Sequence, residues 1–161
     1  LALGMEKGEP NLMDEPPRDP NEPIMNKSMM LSIAVQSTFQ TIAVLGSFMF
    51  AMNHYAGLDN TLEIARTYAF VTLISAELLR VYAARSEKLN LWHIGFFSNR
   101  NLNIAVIIAF ALMLGVMVIE PVREIFSLAQ FNLYDFEFVL LFSSMPLIFG
   151  ELLKVVRRAF K

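Results

Sequence analysis

Four apolar stretches, separated by clusters of charged residues and proline, organise this 161-residue chain. They cover about 29–52, 61–87, 102–119 and 136–156, and each can cross a hydrocarbon core of about 30 Å, which takes about 20 helical residues at 1.5 Å rise. The expected fold is an all-α membrane protein of four transmembrane helices filling a domain over 28–161. The first stretch is the most polar. It carries Gln36, Ser37, Thr38, Gln40 and Thr41 in one half, with Gln36 and Gln40 on one face and Ser37 and Thr41 on another. Such a helix belongs among other helices, and the polar stripe reads first as packing contacts between them. Asn60 and Glu63 stand at capping-box spacing before the second stretch. The third is uncharged from Leu102 to Ile119 and closes on Glu120-Pro121. The fourth has Pro146 in mid-span, where a kink is expected.

Ahead of the spans, residues 5–27 hold five of the seven prolines, interleaved with Glu6, Glu9, Asp14, Glu15, Asp19 and Glu22. Each proline removes a backbone donor and biases its predecessor toward extended geometry, so an extended solvent-exposed loop is expected. Leu1-Ala2-Leu3-Gly4 reads as the last turn of a helix whose body lies upstream.

Composition supports the membrane reading, since 55% of residues are hydrophobic and only 17% are charged. The net charge of −2 offers no basic field for a nucleic acid, and the absence of cysteine excludes disulfides and thiolate chemistry. The distribution of basic residues says more. With the N-terminal loop on the cytoplasmic side, eleven of the thirteen lysines and arginines fall inside, leaving only Arg66 and Arg123 outside. Both ends of the segment are therefore expected in the cytoplasm. Tyr55, Tyr68 and Tyr134 then mark the outer boundary, and Tyr82 and Trp92 the inner one.

Glu77 is the residue that needs an explanation. It lies about seven residues, or roughly 10 Å, from the inner end of the second span, too deep for a short side chain to reach water easily. An ionised carboxylate there needs a partner, a proton or a cation. Arg80, three residues on, can supply an internal ion pair. The alternative is an oxygen ligand in a cation path. Hard cations take several oxygens, so any such site is shared with helices outside this chain. Ala69, Thr72, Ala76 and Ala83 form a small-residue strip beside Glu77 that permits close helix approach. Glu151 has Lys154 three residues on and Arg158 seven on, the spacing of an interfacial ion pair. His54 and His93 lack further ligands at useful spacing. No phosphate-binding loop, nucleophile elbow or paired carboxylates are found, so the segment alone is expected to catalyse nothing.

The run LALGMEKGEPNLMDEPPRDPNEPI, with its Met13-Asp14 and Pro16-Pro17-Arg18, resembles the stretch after the sixth transmembrane helix of P-type cation-transporting ATPases of the calcium-pump branch. The resemblance makes residues 1–27 the end of the sixth helix and a cytoplasmic loop, and the four spans the seventh to tenth helices. It implies a parent pump using ATP and Mg2+ to move a cation, Ca2+ in this branch, with the catalytic aspartate in a separate cytoplasmic domain. The expected partners are the lipid bilayer and the remaining helices and cytoplasmic domains of that pump. By the same resemblance Glu77 falls where the eighth helix contributes an ion-ligating glutamate. Arg80 departs from the pattern, as a countercharge and not a ligand, which leaves the ion stoichiometry open. Asp14, Glu15 and Asp19 match a segment facing the phosphorylation domain. A pump for Na+, K+, H+ or Mn2+, and a free-standing four-helix membrane adaptor, are the alternatives. The expected location is integral and multi-pass, in the plasma membrane of a prokaryote.

Overall fold

The structure, a computed structural model, describes residues 3–5, 23, 25, 27–86, 89–130 and 132–159. Most of the proline-rich loop, with the acidic residues read in it, lies outside the described residues. Every described element is helical. They are α1 (Lys27–His54), α2 (Thr61–Ala83), α3 (Leu91–Ile94), α4 (Arg100–Val118), α5 (Glu120–Ile125) and α6 (Phe136–Ala159), with 3₁₀ turns at Leu3–Met5 and Leu133–Asp135.

α1, α4 and α6 are long and apolar enough to cross a membrane. α2 has the length, 23 residues or about 35 Å, but carries Glu63, Arg66, Glu77 and Arg80. The four long helices alternate in direction. Phe39 stacks on Phe149 and Phe50 packs on Phe138, so α1 and α6 are antiparallel with residue numbers that sum to about 188 along the seam. The Arg157 guanidinium donates to the Ser28 and Ser32 hydroxyls at one end of that seam, and the Tyr55 hydroxyl donates to Asp135 at the other. α2 runs against α1, with Gln40 beside Glu77 and Phe50 near Tyr68. α4 runs against α2, where the Tyr82 hydroxyl donates to Asn103 and the Ser75 hydroxyl to the Met113 sulfur.

Small residues set the spacing of this bundle. α1 buries only Ala43, Ser47 and Ala51, a four-residue repeat on one face. A Cβ on Gly46 would lie 3.0 Å from the Phe142 ring, and one on Gly150 would lie 3.1 Å from the Gln36 amide, so both glycines admit a side chain from the facing helix. On α2 the strip expected to pack is buried at Thr72, Ala76 and Ala83. The apolar core, Ala51, Ala65, Tyr68, Val71, Met113, Met117, Leu128 and Val139, fills the end of the bundle near Tyr55. The opposite end is held by polar contacts.

Several boundaries differ from the expectation. α2 ends at Ala83, four residues short of 87, and Ala84 and Arg85 form a turn. Asn60 makes no side-chain cap, because its backbone (φ −103°, ψ 19°) is not the extended geometry that aims a capping oxygen back at the helix. Thr61 closes the turn instead, its hydroxyl reaching the carbonyls of Tyr55 and Leu58 at 2.6 and 2.7 Å. α4 starts at Arg100 with Asn99 as a true N-cap, accepting from the Leu102 N–H at 2.9 Å. The break at Ile119 is followed by α5, whose Pro121 sits in the first turn, where its missing N–H is harmless. α6 continues through the buried Pro146 to Ala159.

Candidate cation-ligand site

α2 carries Glu77 on the side that meets α1. The Gln40 amide donates to Glu77 Oε1 at 2.6 Å, while Arg80 donates to Oε2 through Nε at 3.0 Å and Nη2 at 2.6 Å. Arg80 reaches back because residues three apart share a helix face. The two oxygens of one carboxylate are thus divided between a neighbouring helix and the next turn of its own. About 44% of the Glu77 side chain and 40% of the Arg80 side chain remain exposed. Ser37, Thr38 and Thr41 are also exposed on α1, and their hydroxyls return to the carbonyls of Ala34 and Ser37.

The arrangement can hold a cation only in part. Glu77 offers two carboxylate oxygens, and the Gln40 amide, turned about its last bond, presents a third in place of its donor. Calcium takes six to eight oxygens. Among the described residues, no group of three or more His, Cys, Asp and Glu side chains is placed to hold a metal ion. His54 stacks on Phe50 and edges Tyr55, and His93 lies in α3.

A second charged cluster lies at the other end of α2's last turns and is deeply buried. Lys154 and Glu151 of α6 are 6% and 4% exposed and meet at 2.7 Å. Lys154 Nζ also donates to the Ala83 carbonyl at 2.8 Å and the Leu89 carbonyl at 3.3 Å. Glu151 Oε2 accepts from Asn90 Nδ2 at 3.0 Å and from the Leu91 N–H at 2.9 Å, and Asn90 Nδ2 also reaches the Glu151 carbonyl at 3.0 Å. Nearby, the buried Arg85 donates to the Gly95 carbonyl and the Ser98 hydroxyl, fixing the segment between α2 and α4.

Spacing alone pointed to the pairs Glu77–Arg80 and Glu151–Lys154, both three apart. Gln40 as the partner of Glu77 was not legible, since 37 residues separate them. Its only signal was the polar half of the first span. Asn90 carried no signal, being one of several polar residues in the connection after the second span.

Comparison with known proteins places the chain in a family. Residues 1–156 match the family described as cation transporting ATPase, C-terminus. A calcium-transporting ATPase of Listeria monocytogenes is 35% identical over 99% of this chain, and one of Lactococcus lactis is 32% identical over all of it. The human calcium-transporting ATPase type 2C member 1 is 25% identical over 98% of the chain. The chain spans 18%, 18% and 17% of the length of these relatives. The chain belongs to this family and is the C-terminal region of a P-type cation-transporting ATPase.

Proposed function

We propose that this chain is the seventh-to-tenth-helix segment of an ATP-driven calcium pump, in which it scaffolds the transport helices and lends Glu77 to a shared ion site. The observation that carries the reading is the Glu77 carboxylate, held from α1 by Gln40 yet almost half exposed on a helix of membrane-spanning length. A charged pair facing lipid is costly, so this face favours cover by further protein that supplies the missing oxygens. Arg80 acts as the countercharge when the cation is absent. The alternating directions of α1, α2, α4 and α6 support α2 as a fourth span and both ends of the segment on the cytoplasmic side. The calcium-transporting relatives support Ca2+ as the cargo and ATP with Mg2+ in the parent protein. The bacterial relatives support a prokaryotic plasma membrane.

The test uses the full-length protein and follows cation-stimulated ATP hydrolysis. Glu77→Gln is expected to weaken the apparent Ca2+ affinity roughly tenfold or more, the scale of losing one charge-assisted contact. An unchanged affinity would sink the ligand role and leave Glu77–Arg80 as a structural ion pair. Arg80 also favours a second reading, transport of a different cation, because a fixed positive charge can occupy the place of one of two ions. Stimulation by Na+, K+ or Mn2+ in place of Ca2+ would establish it.

A further inference from the structure

The buried Lys154–Glu151 pair is not used by the ion site, yet it touches the same helix. The Ala83 carbonyl is one of the last four of α2, which have no partner further along their own helix. Lys154 supplies one from α6, and its ammonium also faces the negative end of the α2 dipole. Glu151, held to Lys154, takes the Asn90 amide and the Leu91 N–H on the far side of the connection. The end of α2 and the start of α3 are therefore tied to one turn of α6. Ala83 lies six residues beyond Glu77, about 9 Å along a rod that is stiff in that direction.

We propose that Lys154 and Glu151 are positioning residues that set the depth of Glu77 by clamping the carbonyl end of α2 to α6. This deepens the ligand reading above and rests on it. A carboxylate that coordinates a cation must be held within about half an ångström of its productive position, and Gln40 contacts only the carboxylate tip, leaving axial movement of α2 to be resisted elsewhere. The clamp resists it with the two charges and the 2.8 Å bond to Ala83. Both charged groups are almost fully buried, so water does not loosen the contact.

Lys154→Met alone leaves Glu151 buried without its countercharge and can prevent folding. The paired variant Glu151→Gln with Lys154→Met removes both charges at nearly constant volume, and it is the variant to measure in the full-length protein. The expected result is a roughly tenfold loss of apparent Ca2+ affinity, the scale of one weakened ligand contact, with maximal turnover retained. Combined with Glu77→Gln, the paired variant should lose no further affinity, because it acts through Glu77. A further loss equal to its own separate effect overturns the proposal, as does an unchanged affinity. Spin labels at Ala84 and Val156 give a readout independent of ions. Their distance distribution should broaden in the paired variant, and an unchanged distribution overturns the clamp whatever Glu77 does. An inert Glu77→Gln, by contrast, removes the ligand reading while the spin-label result still judges the clamp.

Discussion

Tyr55 shows how a single side chain closes one end of the bundle. Its hydroxyl donates to Asp135 at 2.6 Å, joining the loop after α1 to the turn before α6. Burial first, then the Asp135 carboxylate, push its phenol above the usual value near 10. A group that holds its proton more tightly when folded stabilises the fold below the unfolded pKa, and that contribution fades as pH rises past about 10. Thermal stability of the purified protein should therefore fall between pH 9 and pH 11, and Tyr55→Phe should flatten that part of the profile. An identical profile in the variant would mean that other groups set the alkaline limit. Glu77 belongs to the same scale but illustrates the reverse lesson. Its charge in an apolar stretch, and the Arg80 at ion-pair spacing, are legible one residue at a time, whereas its amide partner is not.

At the scale of elements, glycine and small residues decide how the helices meet. Gly46 faces the Phe142 ring and Gly150 faces the Gln36 amide, while a Cβ at Gly115 of α4 would meet nothing within 4 Å. Gly46→Leu should thus destabilise the α1–α6 seam by about 1–3 kcal/mol, the usual penalty of overpacking. Gly115→Ala should be neutral or slightly stabilising, since alanine is the better helix former. Melting curves of the full-length protein in one detergent compare them directly, and equal shifts would contradict the close α1–α6 approach. The elements themselves were legible from hydrophobic runs bounded by charge. The short helices α3 and α5 were not, although Pro121 just inside α5 is a recognisable start signal. α2 ends earlier than its sequence predicts, because Ala84, Arg85 and Ser86 are acceptable helix residues and the chain turns there for tertiary reasons, with Arg85 donating to the loop at Gly95 and Ser98.

For the whole molecule, the alternation of α1, α2, α4 and α6 leads to a topology that labelling can test. The chain holds no cysteine, so single cysteines can be introduced without background from this region. Cysteines at Asp59 and Tyr134 should react with an impermeant maleimide from outside the cell, and those at Phe97 and Ala159 only after the membrane is opened. Asp59 and Phe97 reacting from the same side would mean that α2 does not cross. The bundle is also uneven. Apolar packing fills the end near Tyr55 and a buried ionic network holds the end near Lys154. α4 turns Ile107, Leu112 and Val118, each more than 60% exposed, away from the other helices, as a helix at the edge of a bundle in lipid does.

By itself the sequence determined the class, the number of apolar stretches and the pairs of charges three residues apart. These depend on local quantities, namely transfer of side chains from water and the reach of one helical turn. It also carried the family, through a loop most of which lies outside the described residues. Only the tertiary structure decided which helix supplies the second contact to Glu77, where α2 stops, and that Lys154 serves the carbonyl end of a helix 71 residues away in the chain. Those contacts arise where orphaned backbone groups and buried charges must find partners, and the nearest partner in space is set by how the helices pack, which no local pattern records.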